Sequence, residues 1–74
     1  MTERLKKELL SELNNLETAI YCCDDTRDYW HYVGKQEGIL AALKELGYKV
    51  VYKYIDICGD EVMHFTDIES EVKS

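Results

Sequence analysis

The spacing of apolar residues changes once along this chain, and that change constrains its architecture more than any other feature. From Leu5 the apolar positions fall at Leu5, Leu9, Leu13, Leu16, Ile20 and Cys23, each three or four residues after the last. This spacing lays one stripe along a helix, whose repeat is ~3.6 residues. After Gly47 the stretch YKVVYKYIDICGDEVMHFTDI is rich in β-branched and aromatic residues, the composition of extended strands. Helical sequence therefore gives way to strand sequence at a single point.

The first stripe predicts a helix over 3–23, with Lys6, Lys7, Glu12, Asn14 and Asn15 on its polar face. Asp24, Asp25 and Thr26 follow, residues whose side chains accept from the free N–H groups at a helix start. Tyr29, Trp30, Val33, Leu40, Leu43 and Leu46 then predict a second helix over 26–46, with Gly47 as its left-handed stop. Inside it, Gly34 and Gly38 each cost ~1 kcal/mol relative to alanine, so a close approach of another element is expected to compensate, with Ala41 and Ala42 continuing the small surface.

A hairpin is predicted over 48–68, with strands of about Tyr48 to Ile57 and Glu61 to Ile68 around a Gly59-Asp60 turn. In that register Ile57 faces Val62, Ile55 faces His64 and Tyr54 faces Phe65. One sheet face then carries Val51, Ile55, Ile57, Val62 and Ile68, and the other Val50, Tyr52, Tyr54, Met63 and Phe65. Residues 69–74 form a polar tail expected to fray. The expected fold is α+β with order ααββ, a helical hairpin packed on a two-stranded antiparallel β-hairpin.

Size and charge restrict the partners. A chain of 74 residues forms one domain and buries only ~60% of the surface its unfolded form exposes. A second copy or another protein is the stabiliser this composition best supports. With 9 Lys and Arg against 15 Asp and Glu, the net charge is -6, which disfavours direct contact with nucleic acid or anionic lipid and points to a basic protein partner. The opening MTERLKKELLSEL breaks every apolar run with charge, so neither an export signal nor a membrane span is expected. Cys22, Cys23 and Cys58 cannot all pair within one chain, and reduced thiols in a cytoplasmic protein are expected.

Reactive constellations are weak. Cys22 and Cys23 with His31 lack the two-to-four-residue cysteine spacing of structural zinc sites. Cys22 or Cys58 with His31 or His64 carries no local signature of an oriented thiol–base pair. No catalytic, metal or cofactor residue is assigned. The aromatic residues are abundant without a surrounding basic groove, which favours protein contacts over stacking on bases. Trp30, Tyr52, Tyr54 and Phe65 are the expected contact anchors. The carboxylates Glu8, Glu12, Glu17, Asp24, Asp25 and Asp28 supply an alternative, a surface imitating a phosphate backbone that blocks a nucleic-acid-binding protein.

The segment YWHYVGKQEGILAALKELGY, residues 29–48, resembles small accessory proteins encoded by phages and prophages. Its aromatic-rich helix carries Gly34 and Gly38 ahead of a Leu-Ala-rich turn and ends in Leu46-Gly47-Tyr48. The resemblance implies stoichiometric binding to a host protein, including nucleases and restriction or CRISPR effectors. The reading is a non-enzymatic, homodimeric interaction protein.

Overall fold

In a computed structural model that describes residues 1–71, the chain folds as α+β in the order ααββ: α1 (Glu3–Tyr21), α2 (Thr26–Glu45), β1 (Tyr48–Ile57) and β2 (Asp60–Ser70). Both helix starts are capped by side chains. Thr2 accepts from the Leu5 N–H, and Asp25, not its neighbours, accepts from the Arg27 N–H. Gly47, at φ 85°, takes the left-handed conformation that ends α2 and turns the chain into β1. The two helices pack as an antiparallel pair against the hairpin, and Leu13, Leu16, Leu43, Val62, Phe65 and Ile68 form the core.

The expected hairpin register is corrected. The turn is Cys58-Gly59, with both residues at positive φ (53° and 89°), and Ile57 pairs with Asp60, Ile55 with Val62 and Tyr54 with Met63. Positive φ at both central positions matches the twist of the flanking strands. A non-glycine residue in that conformation costs ~1–2 kcal/mol, which is why the sequence points to a turn that begins at glycine. The Asp56 carboxylate supports the observed turn by accepting from the Gly59 N–H at 3.0 Å.

A second departure lies further along β2. Tyr52 pairs with Phe65, whereas Val51 pairs with Asp67, so Thr66 is an extra residue in β2. This β-bulge reverses the alternation beyond it. Ile68 is therefore opposite Val50 and shares a face with Phe65, instead of joining Val62 as expected from an unbroken register. The Thr66 hydroxyl donates to the Val51 carbonyl at 3.3 Å.

The bulge is held from outside by α1. Asn14 donates from Nδ2 to the Phe65 carbonyl at 3.0 Å and accepts at Oδ1 from the Phe65 N–H at 2.8 Å. Its side-chain amide thus supplies both partners that a further strand would offer. Lys6 reaches Asp67 at 3.3 Å, and the Tyr21 hydroxyl donates to Asp60 at 2.9 Å. From these three contacts, α1 runs antiparallel beside β2 along its length. Lys6 and Asn14, expected on a solvated face, instead join the helix to the strand.

Among the described residues, Gly34 and Gly38 have open space where a Cβ would sit, with nothing within 4 Å of either, so no close approach there compensates for them. Glu69 and Ser70 of the expected tail belong to β2, and the Glu71 N–H donates to the Gly47 carbonyl at 2.8 Å. Residues 72–74 of that tail lie outside the described residues.

Three substitutions test the clamp and the turn. Asn14→Ala leaves two half-buried backbone groups unmatched and is expected to cost about 1–3 kcal/mol in urea unfolding; the exposed neighbour Asn15→Ala should stay within about 0.5 kcal/mol of the parent. Equal effects of the two would sink the clamp. Cys58→Asn places a residue tolerant of positive φ before Gly59 and should raise the melting temperature, a gain of up to ~1 kcal/mol; a lower melting temperature would contradict the assigned turn.

Candidate functional site

The sequence of β1 alternates so that Val50, Tyr52 and Tyr54 stand on one face, with Ile68, Phe65 and Met63 opposite them on β2. Helix coverage divides that face unevenly. Phe65 is 2% exposed, whereas Tyr52 is 49% and Tyr54 59% exposed. The rings of Tyr52 and Tyr54 meet edge to face, with centroids 5.8 Å apart, and Tyr52 is in turn 6.3 Å from the Phe65 ring. This edge-to-face geometry suits the ring quadrupoles and holds two large exposed side chains in a defined arrangement.

Beside them lies an open, mainly apolar groove of about 300 Å³ lined by Leu40 and Lys44 of α2, Tyr48, Lys49, Val50 and Tyr52 of β1, Met63 and Phe65 of β2, and Glu71. Phe65 forms its floor from the core side. The expectation that Phe65 is a contact anchor is therefore corrected: Phe65 keeps its expected place on the face of Tyr52, but it is buried in the core and meets the Tyr52 ring from that side.

The backbone of β1 adds a second property. Because Asn14 binds both the N–H and the C=O of Phe65, those groups point away from β1. The facing residue, Tyr52, must point its own N–H and C=O away from β2. By the two-residue repeat of a strand, Val50, Tyr54 and Asp56 do the same. Among the described residues, no helix or loop group bonds these outward backbone positions. One long edge of the hairpin is thus open, and the exposed tyrosines stand along it.

The elbow forms a separate, shallower concavity lined by Cys23, Asp24, Asp25, Thr26, Tyr29 and Trp30. Trp30 is 63% exposed and meets the Tyr29 ring edge to face at 5.3 Å. Asp25 is engaged as the cap of α2, and the Cys23 thiol donates to its carbonyl at 3.1 Å. Trp30 is thus available as a contact residue, well removed in sequence from Tyr52 and Tyr54, and nothing among the described contacts joins the two surfaces.

The carboxylates do not form one free strip. Glu12 pairs with Lys35 at 3.1 Å, and Glu17 accepts from Gln36 at 2.7 Å, so both join α1 to α2. Glu8 pairs with Arg4 within α1. Asp24 and Asp28 are exposed in the elbow and the first turn of α2, where negative charge favours the helix start. Across the hairpin, Asp67 is held below the usual carboxylate range by the Ile68 N–H and by Lys6, whose ammonium is in turn raised by its bond to Asp67. The Tyr21 hydroxyl is raised by donating to Asp60.

All three cysteines are free; Cys22 and Cys58 are exposed and Cys23 is half-buried. Among the described residues, no three His, Cys, Asp or Glu side chains converge as they would on a metal ion. No helix among them is long and apolar enough to cross a membrane.

Sequence reasoning misses Asn14, which carries no more signal of its own than its neighbour Asn15. The available hint is Leu10, one turn before Asn14 and outside the main stripe. It is half-buried, and it widens the apolar face on the side where Asn14 stands. No protein-family model, curated protein or solved structure matches the chain.

Proposed function

We propose that this protein acts without catalysis, by stoichiometric binding to another protein through the tyrosine surface of β1. The observation that carries the reading is the pair Tyr52 and Tyr54, roughly half exposed, locked edge to face and set beside an apolar groove on an open strand edge. Tyrosine gives a large contact area at a small cost in side-chain freedom, and it is enriched where protein surfaces meet. Lys44, Lys49 and Glu71 at the groove rim supply the polar border of such a contact, and Trp30 offers an auxiliary one.

Binding driven by ring burial should resist salt, unlike an acidic surface seated in a basic groove. Immobilised chain, incubated with lysate and washed at low and high salt, is expected to retain a defined protein under both conditions. Tyr52→Ala with Tyr54→Ala should reduce that retention by at least about tenfold per ring, with the helical circular-dichroism signal kept. Equal retention by the parent and the double variant would overturn the reading. Loss of the protein at high salt, together with loss on charge reversal of Glu8, Asp24 and Asp28, would replace it by the acidic-surface alternative.

A further inference from the structure

The single chain exposes more surface than its mass accounts for. A compact monomer of 8.7 kDa exposes about 4,700 Å², and this chain exposes 5650 Å². The excess, about 900 Å², is close to the ~800 Å² that one partner buries in a standard protein interface. The radius of gyration agrees, at 13.2 Å against about 11 Å for a compact chain of this length. A two-stranded sheet is also marginal alone, and β1 presents ten residues of unpaired edge.

We infer that β1 pairs antiparallel with β1 of a second copy about a two-fold axis at Tyr52, so that the tyrosine surface is completed only in the dimer. This rests on the binding reading above and names what completes its site. A two-fold axis normal to the sheet brings together residues that point to the same face, so only pairings of even with even and odd with odd positions are allowed. Outward backbone groups at Val50, Tyr52 and Tyr54 then meet their equivalents and form a continuous ladder.

Charge selects among the allowed registers. An axis at Lys53 sets that ammonium against its own copy, and an axis at Val51 sets Lys49 opposite Lys53 twice; like charges directly opposite are unfavourable. An axis at Tyr54 runs the pairing into the Cys58-Gly59 turn, and one at Val50 runs it into Gly47. With the axis at Tyr52, nearly all of β1 is paired, Lys53 lies opposite Val51, Lys49 opposite Ile55, and Tyr54 opposite Val50. The Tyr54 ring of each copy then lies over the groove that Val50 lines in the other. Tyr52, its symmetry mate and both Tyr54 rings make one aromatic strip across a four-stranded sheet.

Analytical ultracentrifugation of the full chain tests this. The parent is expected to sediment at twice 8.7 kDa. Tyr52→Lys and Tyr52→Glu each set like charges on the axis and should sediment at 8.7 kDa, while their equimolar mixture should recover the doubled mass as a heterodimer. That recovery also shows that both variants fold. A parent at 8.7 kDa, or a dimer indifferent to both charges, overturns the self-pairing. If the parent is monomeric and Tyr52→Ala with Tyr54→Ala still loses the captured protein, self-pairing falls and the binding reading stands. If the charge rule holds but Tyr54→Ala captures as much as the parent, the dimer stands and the binding reading falls.

Discussion

One amide side chain ties α1 to one edge of this hairpin. Asn14 matches both backbone groups of Phe65, and it does so next to the residue where β2 carries its bulge. Without a partner there, a half-buried N–H and C=O would face the apolar stripe of α1, an arrangement that folded chains avoid. The clamp fixes how far α1 is shifted along β2. Lys6 then falls beside Asp67 and Tyr21 beside Asp60. The bulge, in turn, places Ile68 on the same face as Phe65, so that two large side chains enter the core together where an unbroken strand would offer one.

The two edges of the hairpin differ as a result. The edge formed by β2 is joined to α1 and matched at Phe65 by Asn14, while among the described residues no side chain matches the outward backbone groups of β1. Exposed edges of this length are usually blunted by lysine, proline, bulges or inward charge, and of these devices β1 carries two lysines, Lys49 and Lys53, but no proline and no bulge of its own. In the proposed self-pairing these lysines disfavour particular registers and leave the one centred on Tyr52. Under that proposal the edge serves specific association, and the packing of α1 on β2 is linked to the surface proposed to bind protein.

Much of this is legible in the sequence. The helix stripe, the left-handed Gly47 and the bounds of β1 follow from periodicity and turn chemistry, which depend on neighbours in the chain. The exposure of Tyr52 and Tyr54 also follows, because two helices cannot cover a whole hairpin. What escapes depends on contacts distant in sequence or on strain. The hairpin register rests on Cys58 adopting a conformation unfavourable for its type, and the bulge at Thr66 is stabilised by Asn14, 51 residues away from Phe65. Phe65 keeps its expected face and lies in the core because the helices reach over that part of the face, an extent of coverage that neighbours in the chain do not encode. The helix cost of Gly34 and Gly38 predicts a close approach, and among the described residues there is none.

The difference between the two edges is open to direct observation by amide hydrogen exchange, residue by residue, in dilute solution. The Phe65 N–H should be protected as strongly as the ladder amides of Lys53 and Ile55, because Asn14 holds it. The N–H groups of Tyr52 and Tyr54 should exchange freely when dilute and become protected as concentration rises. Rapid exchange at Phe65, or protection of Tyr52 and Tyr54 that does not change with concentration, would contradict the account.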